Sequence, residues 1–326
     1  MTLKNCLRPA ASADTLALRL FIDGAVGTTG LEIADRLAGR SEFALLTLDD
    51  ADRKNADKRR DALNSADFVI LCLPDAAARE AVAMVTNPST RMIDASSAHR
   101  VADGWTYGFP ELAPGQRGAI VAAPRVTNPG CYSTGFIALI APLVAAGLIP
   151  ADLPLSCNAV SGYSGGGKEL IVRFDQDEPD IAWRGYALRL GHKHVPEMQR
   201  RSGLVHAPLF APAVVPAFRG MVVEVPLHRA LDARIAAPDA LRAALGEHYA
   251  GSTMVGVEPL GGVEELLLRR DWPGNDCMTL SVAASADGSQ VRLIASLDNL
   301  GKGASGACVQ NLNLMAGLPE TAGLRL

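Results

Sequence analysis

The chain has 326 residues, 48% hydrophobic and 20% charged, which is globular composition and enough length for two domains. A formal net charge of −4 argues against nucleic acid or an anionic membrane surface as a main partner. No apolar run reaches the length of a membrane span, and Met1–Thr15 lacks an apolar core followed by a small-residue cleavage site.

From Leu18 to about Ala123 short apolar runs alternate with helical stretches. Leu18–Ile22 reads as a strand, Thr28–Leu37 as a helix and Phe43–Leu48 as a strand. Asp49–Asn64 is a polar, charged segment. Phe68–Leu73 is the next strand, Ala76–Val85 a helix, and Arg91–Ile93 and Ala119–Ala122 further short strands. Uninterrupted apolar strands separated by helices indicate a parallel sheet covered on both faces. Apolar periodicity over Phe136–Leu143 predicts a helix that starts near Cys131 and ends near Gly147. The texture then changes. Leu155–Val160, Val205–Leu209, Met221–Pro226, Met278–Ala283 and Val291–Ser296 read as longer strands with partial alternation, the last two joined by a hairpin over 283–290. This predicts a second, α+β part with a mainly antiparallel sheet, followed by a helical tail over Gly303–Met315.

Cys131 stands in Thr127-Asn-Pro-Gly-Cys-Tyr-Ser-Thr-Gly135, at the expected first turn of a helix. Free backbone N–H groups and the positive helix end favour a thiolate there. A thiolate so placed can hold an acyl group as a thioester. An inert buried cysteine is the plain alternative. The other cysteines, Cys6, Cys72, Cys157, Cys277 and Cys308, are scattered without metal-ligand spacing. An even total permits disulfides, but a chain of this size with a nucleotide-type motif fits a reduced, cytoplasmic setting.

Gly24-Ala-Val-Gly27-Thr28-Thr29-Gly30 lies where the first strand hands over to the first helix. Glycines there allow a tight turn and let a pyrophosphate approach backbone N–H groups. The spacing is G-x-x-G-x-x-G, with Val26 where glycine is usual. Near the end of the second strand, Asp49 and Asp50 could accept from a ribose 2′-hydroxyl, whereas Arg53 and Lys54 could meet a 2′-phosphate.

Gly191-His192-Lys-His194-Val-Pro-Glu197 sets two histidines beside a helix start, where either could move a proton near neutral pH. Glu197 could hold the His194 ring if both share a face. A metal pair or two core histidines are the alternatives, and no cysteine or carboxylate cluster completes a metal site. Ser161-Gly-Tyr-Ser-Gly-Gly-Gly-Lys168 is a loop whose N–H groups and Lys168 could receive an anion, or a flexible surface loop. Arg100, in Ser96-Ser-Ala-His-Arg100, is a candidate partner for phosphate or carboxylate.

Together, Gly24–Gly30, Asp94–Arg100, Gly108–Glu111, Asn128–Gly135, Ser161–Gly167, His192–Glu197 and Asn299–Gly306 through Gln310-Asn311 resemble the N-acetyl-γ-glutamyl-phosphate reductases, in their shorter-chain branch, over nearly the whole length. The resemblance implies an NADPH-linked enzyme of arginine biosynthesis. It would have a Rossmann-type dinucleotide-binding domain over 1–130 plus 300–326 and a catalytic, oligomerising α+β domain over 131–299, with the last helix returning to the first domain. It implies Cys131 as nucleophile and His194 as acid/base. Arg100, Asn128, Ser161, Lys168 and His192 would meet substrate. Gly24, Gly27, Thr28, Thr29, Gly30, Arg53, Ser96, Lys302 and Gly303 would meet NADP(H), and a metal is not expected. The implied chemistry displaces phosphate from an acyl phosphate to give a Cys131 thioester, which is then reduced to an aldehyde. A homo-oligomer, dimer or tetramer, is expected. Reduction of another acyl phosphate, such as aspartyl phosphate, and non-redox cysteine acyl transfer or hydrolysis are the competing functions; a catalytically silent NADP-binding regulator is the third.

Overall fold

The computed structural model describes residues 17–49, 51–262 and 264–326, with only the backbone at Lys54. The readings of Met1–Thr15, Cys6, Asp50 and the Lys54 side chain lie outside these residues.

The first six strands are β1 (Leu18–Asp23), β2 (Phe43–Leu46), β3 (Phe68–Leu71), β4 (Arg91–Asp94), β5 (Thr106–Tyr107) and β6 (Arg125–Thr127). They form one sheet in the order β2-β1-β3-β4-β6-β5, and every pairing is parallel. The helices of this half are α1 (Thr28–Leu37), α2 (Ala56–Ser65), α3 (Asp75–Met84) and α4 (Gln116–Ala122). Alternate side chains leave a strand on opposite faces. Leu20, Ile22, Ile70 and Ile93 therefore pack with Ile33 and Leu37 of α1 and Ile120 of α4. Phe21, Val69, Leu71 and Met92 pack on the other face with Ala62 and Leu63 of α2 and Ala78 and Ala81 of α3.

α5 (Cys131–Ala145) leads into the second sheet. Its strands are β7 (Ser156–Gly162), β8 (Arg184–Gly185), β9 (Leu209–Val215), β10 (Met221–His228), β11 (Val255–Val257), β12 (Met278–Ala284) and β13 (Gln290–Leu297). The order is β11-β12-β13-β10-β7-β9-β8, antiparallel except at β11–β12 and β7–β9. Three helices, α6 (Gly167–Val172), α7 (Val195–Arg201) and α8 (Pro238–His248), punctuate these strands. In β10 the residues Met221, Val223, Val225 and Leu227 point inward and are buried against α5, which is itself buried from Tyr132 to Leu143. The final helix, α9 (Gly306–Met315), returns to the first sheet, where Cys308, Val309, Leu312 and Met315 join its apolar layer.

Two expected strands are corrected. Ala119–Ala122 lies in α4, and the strand that pairs with β4 is β6, with Met92 opposite Arg125. An apolar run of four carries no decisive period; here Ile120 is buried while Val121 faces solvent, as on one turn of a surface helix. Val205–Leu209 is a turn that ends where β9 begins, with Val205 exposed. β9 contains Pro212, tolerated beside a partner strand only two residues long. The polar stretch over 49–64 holds α2, whose start is capped by the Asn55 side chain accepting from the N–H groups of Asp57 and Lys58.

α1 is tied to the second half by a buried ion pair: Arg36 Nη2 lies 2.7 Å from Asp276 Oδ1, and both side chains are inaccessible. Replacing Arg36 with Leu should leave the Asp276 carboxylate without its cation and destabilise the fold by about 3–5 kcal/mol. Urea unfolding measures this, and a loss under about 1 kcal/mol would mean that other donors compensate.

Candidate active site

α5 begins at Cys131 because Asn128-Pro129-Gly130 leaves β6 in extended backbone: Gly130 has φ −76° and ψ 147°. Cys131 is thus the first helical residue, and its side chain lies where two cavities meet. One, of about 350 Å³, is lined by the Gly27–Gly30 turn, Arg100, Asn128, Lys168, His192, His194 and Gly303. The other, of about 360 Å³, runs past Tyr132 and Ser161 to Arg173, Arg184 and Tyr186. A Cβ added to Gly303 would stand 2.9 Å from Cys131 Cβ, so the segment before α9 closes directly over the thiol.

His194 and Arg100 converge beside it. A Cβ on Gly130 would meet His194 Nε2 at 2.5 Å and Arg100 Nη1 at 2.3 Å, which places both groups against the residue preceding the cysteine. The His194 ring is not held by Glu197, contrary to the expectation from their spacing. Glu197 instead accepts from Tyr107 Oη at 2.7 Å and Gly130 N–H at 2.9 Å on one oxygen. On the other it accepts from Ser133 Oγ at 2.8 Å and Arg100 Nη1 at 3.2 Å. His194 Nδ1 is buried and has no hydrogen-bond partner among the described residues. Its backbone N–H donates to His192 Nδ1 at 3.1 Å. That contact makes His192 Nδ1 an acceptor, so its Nε2 carries the proton and faces Tyr186 Oη at 3.4 Å.

Burial decides the protonation states. It pushes the Cys131 thiol up to about 11, against the opposing pull of Arg100 and the Tyr132 backbone N–H. The helix start alone does not yield the resting thiolate expected from sequence. Burial first, then the cations Arg100 and Lys193 and the neighbouring His192, holds His194 well below its ordinary value. Burial and the same two cations bring His192 to about 4. At rest Cys131 is therefore a thiol and His194 a neutral imidazole, and both line the same cavity. Among the described residues no group of His, Cys, Asp and Glu is placed to hold a metal ion.

The glycine turn lies at the carboxyl end of β1, where the strand order reverses between β2 and β3, a position at which open α/β sheets bind ligands. Gly24 has φ +91°, and a Cβ there would stand 2.3 Å from the Cys72 carbonyl oxygen; one on Gly30 would collide with Gly24 O at 2.7 Å. From this turn a third cavity, about 780 Å³, extends past Val26 and Leu48 to Arg53 and Arg59. Leu73 borders this cavity and the His194 cavity, so the two adjoin beside the turn as a trough with Arg53 lining one part and Cys131 the other. The glycine backbone between its two parts leaves room for a pyrophosphate to approach N–H groups. Asp49 Oδ1 accepts the Asp52 N–H at 2.8 Å and so caps the short turn that carries Arg53.

Two residues expected at the cofactor are not brought to the trough. Lys302 is fully buried with its ammonium between Glu111, at 2.8 Å, and Gln310, at 2.6 Å. Ser96 is buried with its hydroxyl on Asp94 Oδ2 at 2.8 Å, beside the Asp94–His99 contact. Asn128 donates to Ala304 O at 2.9 Å and fixes the turn before Cys131. Ser161 lines the second cavity and donates to Gly162 O, and Lys168 is exposed on the rim of the first. Tyr107, Ser133, Arg184 and Tyr186 also belong to the site, and no local sequence pattern marks them.

A two-sheet fold with a cysteine and a histidine at the seam, below a glycine turn, is that of the semialdehyde dehydrogenases. The family's "NAD binding domain" matches residues 19–119 and its "dimerisation domain" matches 131–299. Aspartate semialdehyde dehydrogenase II from Vibrio cholerae superposes with a TM-score of 0.70 at 17% identity, over 92% of this chain and 99% of that one. Similarity in sequence is far higher to N-acetyl-gamma-glutamyl-phosphate reductases. The Burkholderia orbicola protein is 50% identical over 93% of this chain and 98% of its own, and the Rhizobium etli protein 50% over 92% and 99%. The chain belongs to the N-acetyl-gamma-glutamyl-phosphate reductase family.

With its thiol held near 11, Cys131 should alkylate slowly at neutral pH. Its iodoacetamide rate should rise about tenfold per pH unit from 7 to 9 without a plateau. A plateau below pH 8, followed by mass spectrometry of the Cys131 peptide, would instead reveal a preformed thiolate.

Proposed function

We propose that this protein reduces N-acetyl-gamma-glutamyl phosphate to N-acetylglutamate 5-semialdehyde at Cys131, as a step of arginine biosynthesis, with NADPH as reductant. The observation that carries the reading is the joint placement of Cys131, His194 and Arg100 where the trough from the glycine turn meets a second cavity. Half-identity to reductases of that name over nearly the whole chain supports the substrate.

The chemistry follows from the resting states. His194 Nε2 takes the thiol proton as the sulfur attacks the acyl carbon; the S–C bond forms, the C–O bond to phosphate breaks, and phosphate leaves. Arg100, held by Glu197 and the Asn128 carbonyl, supplies positive charge for that departure. NADPH, when bound, supplies the hydride that reduces the acyl carbon. Backbone N–H groups of Gly27, Thr28, Thr29 and Gly30 would hold its pyrophosphate, Arg53 would meet its 2′-phosphate, and Gly303 would border the reactive end. After reduction the C–S bond breaks, the aldehyde departs, and the sulfur recovers its proton from His194. His192, with its proton on Nε2 toward Tyr186, would orient the acyl group.

In this reading the residues to 130 together with 300–326 form the dinucleotide-binding unit and 131–299 the catalytic one, supported by the return of α9 to the first sheet. The partly exposed face of the second sheet, opposite α5, would serve a homo-oligomer. Among the described residues no helix is long and apolar enough to cross a membrane, and a thiol that must remain reduced suits the cytoplasm.

Cys131→Ser should abolish turnover while leaving NADPH binding intact; residual reductase activity near wild type would refute the covalent route. His194→Asn should cut kcat by about 10²–10⁴. Arg53→Ala should weaken NADPH by roughly ten- to a hundredfold and leave NADH unchanged, by fluorescence titration. Equal losses for both cofactors would move the 2′-phosphate contact elsewhere.

A further inference from the structure

The second cavity at Cys131 leads away from the glycine turn, and its wall has its own electrostatics. Arg173, Arg184 and Glu169 are the charged residues lining it, and Cys131 lines it too. Arg173 is occupied: its guanidinium lies 2.8 Å from Glu178 Oε1 and is well exposed. Arg184 differs. It forms β8 at the sheet edge, is half-buried, and has no carboxylate within ion-pair distance among the described residues. Its guanidinium lies over the Tyr186 ring, 4.7 Å from the centroid, and Tyr186 also faces His192. Stacking on a ring fixes the guanidinium plane while leaving its N–H fork unspent, the state of a cation prepared for a planar anion.

We propose that Arg184 is the specificity-determining residue that receives the carboxylate of the acyl substrate. This rests on the reading of Cys131 as the acyl-accepting sulfur. If the reacting carbon is at Cys131, with the hydride donor approaching from the glycine-turn side, the remainder of the substrate has the Arg184 cavity to occupy. Ser161 and Tyr132 line the same cavity and bring hydroxyl groups to it. The ligand class is a short acyl chain that carries a carboxylate at the end distant from the reacting carbon. A bidentate guanidinium–carboxylate contact in a half-buried cavity sets chain length as well as charge, because the distance from Cys131 to Arg184 is fixed by α5 and the edge of the second sheet.

The test deletes the contact from each side. NADP⁺ reduction in phosphate buffer is followed with N-acetylglutamate 5-semialdehyde and with 4-acetamidobutanal, the same chain without its carboxylate. Wild type should prefer the first by roughly ten- to a hundredfold in kcat/KM, mostly through KM. Arg184→Ala should lose that preference by falling on the first substrate only, and Arg184→Lys should recover part of it. Retained activity of Arg184→Ala on 4-acetamidobutanal certifies its fold. An unchanged preference in Arg184→Ala, or an equal loss on both substrates, overturns the proposal and leaves the reductase reading standing. Absence of wild-type turnover with both aldehydes would overturn the reductase reading itself.

Discussion

The carboxylate of Glu197 is the fixed point around which the site is built. It is 1% exposed and accepts from a phenol, a backbone amide, a hydroxyl and a guanidinium contributed by three separate stretches of chain. A buried carboxylate is tolerated only when its lone pairs are filled and a cation stands beside it. Here the filling groups are the ones that must be placed: Gly130 N–H sets the entry to α5, Arg100 is aimed past the thiol, and α7 carries His194 at its start. The requirement to satisfy one buried charge thereby fixes the positions of Cys131, Arg100 and His194 relative to each other.

The same low-dielectric surroundings govern the chemistry. Burial raises the thiol and depresses the imidazole, so both rest neutral. A neutral resting pair suits a site whose substrate arrives as an anion. The cations nearby, Arg100 and Lys193, pull against that shift at the thiol.

The halves of the molecule are joined by ionic contacts that also involve α1, the helix after the glycine turn. Arg36 on α1 pairs with Asp276. Glu32, one turn earlier, takes Arg219 at 2.6 Å, and Arg219 in turn reaches Asp298 at 3.2 Å. Asp298 leads into the segment whose Gly303 packs on Cys131. The start of α1 holds the glycine turn, and its outer face is anchored to the chain that packs on Cys131, so the glycine turn and Cys131 share one support.

Much of this is written locally. The glycine turn, the helix start at Cys131, the His-x-His-x-x-Glu stretch and most strands follow from backbone freedom, capping and apolar period, which act over a few residues. The family likeness rests on those same segments. Local signals failed where period is absent: the four-residue run over 119–122 became helix, α2 was hidden by polar composition with Ala62 and Leu63 as its buried residues, and α8 shows few apolar anchors beyond Leu241 and Leu245. Partnership between distant side chains was decided only by tertiary packing. Sequence spacing offered Glu197 to His194, but packing gave it to Tyr107, Gly130, Ser133 and Arg100. Lys302, next to Gly303 at the site, was turned inward to neutralise Glu111. A lone cation such as Arg184 acquires meaning only when the cavity it faces exists, because desolvation and charge balance are properties of the packed chain.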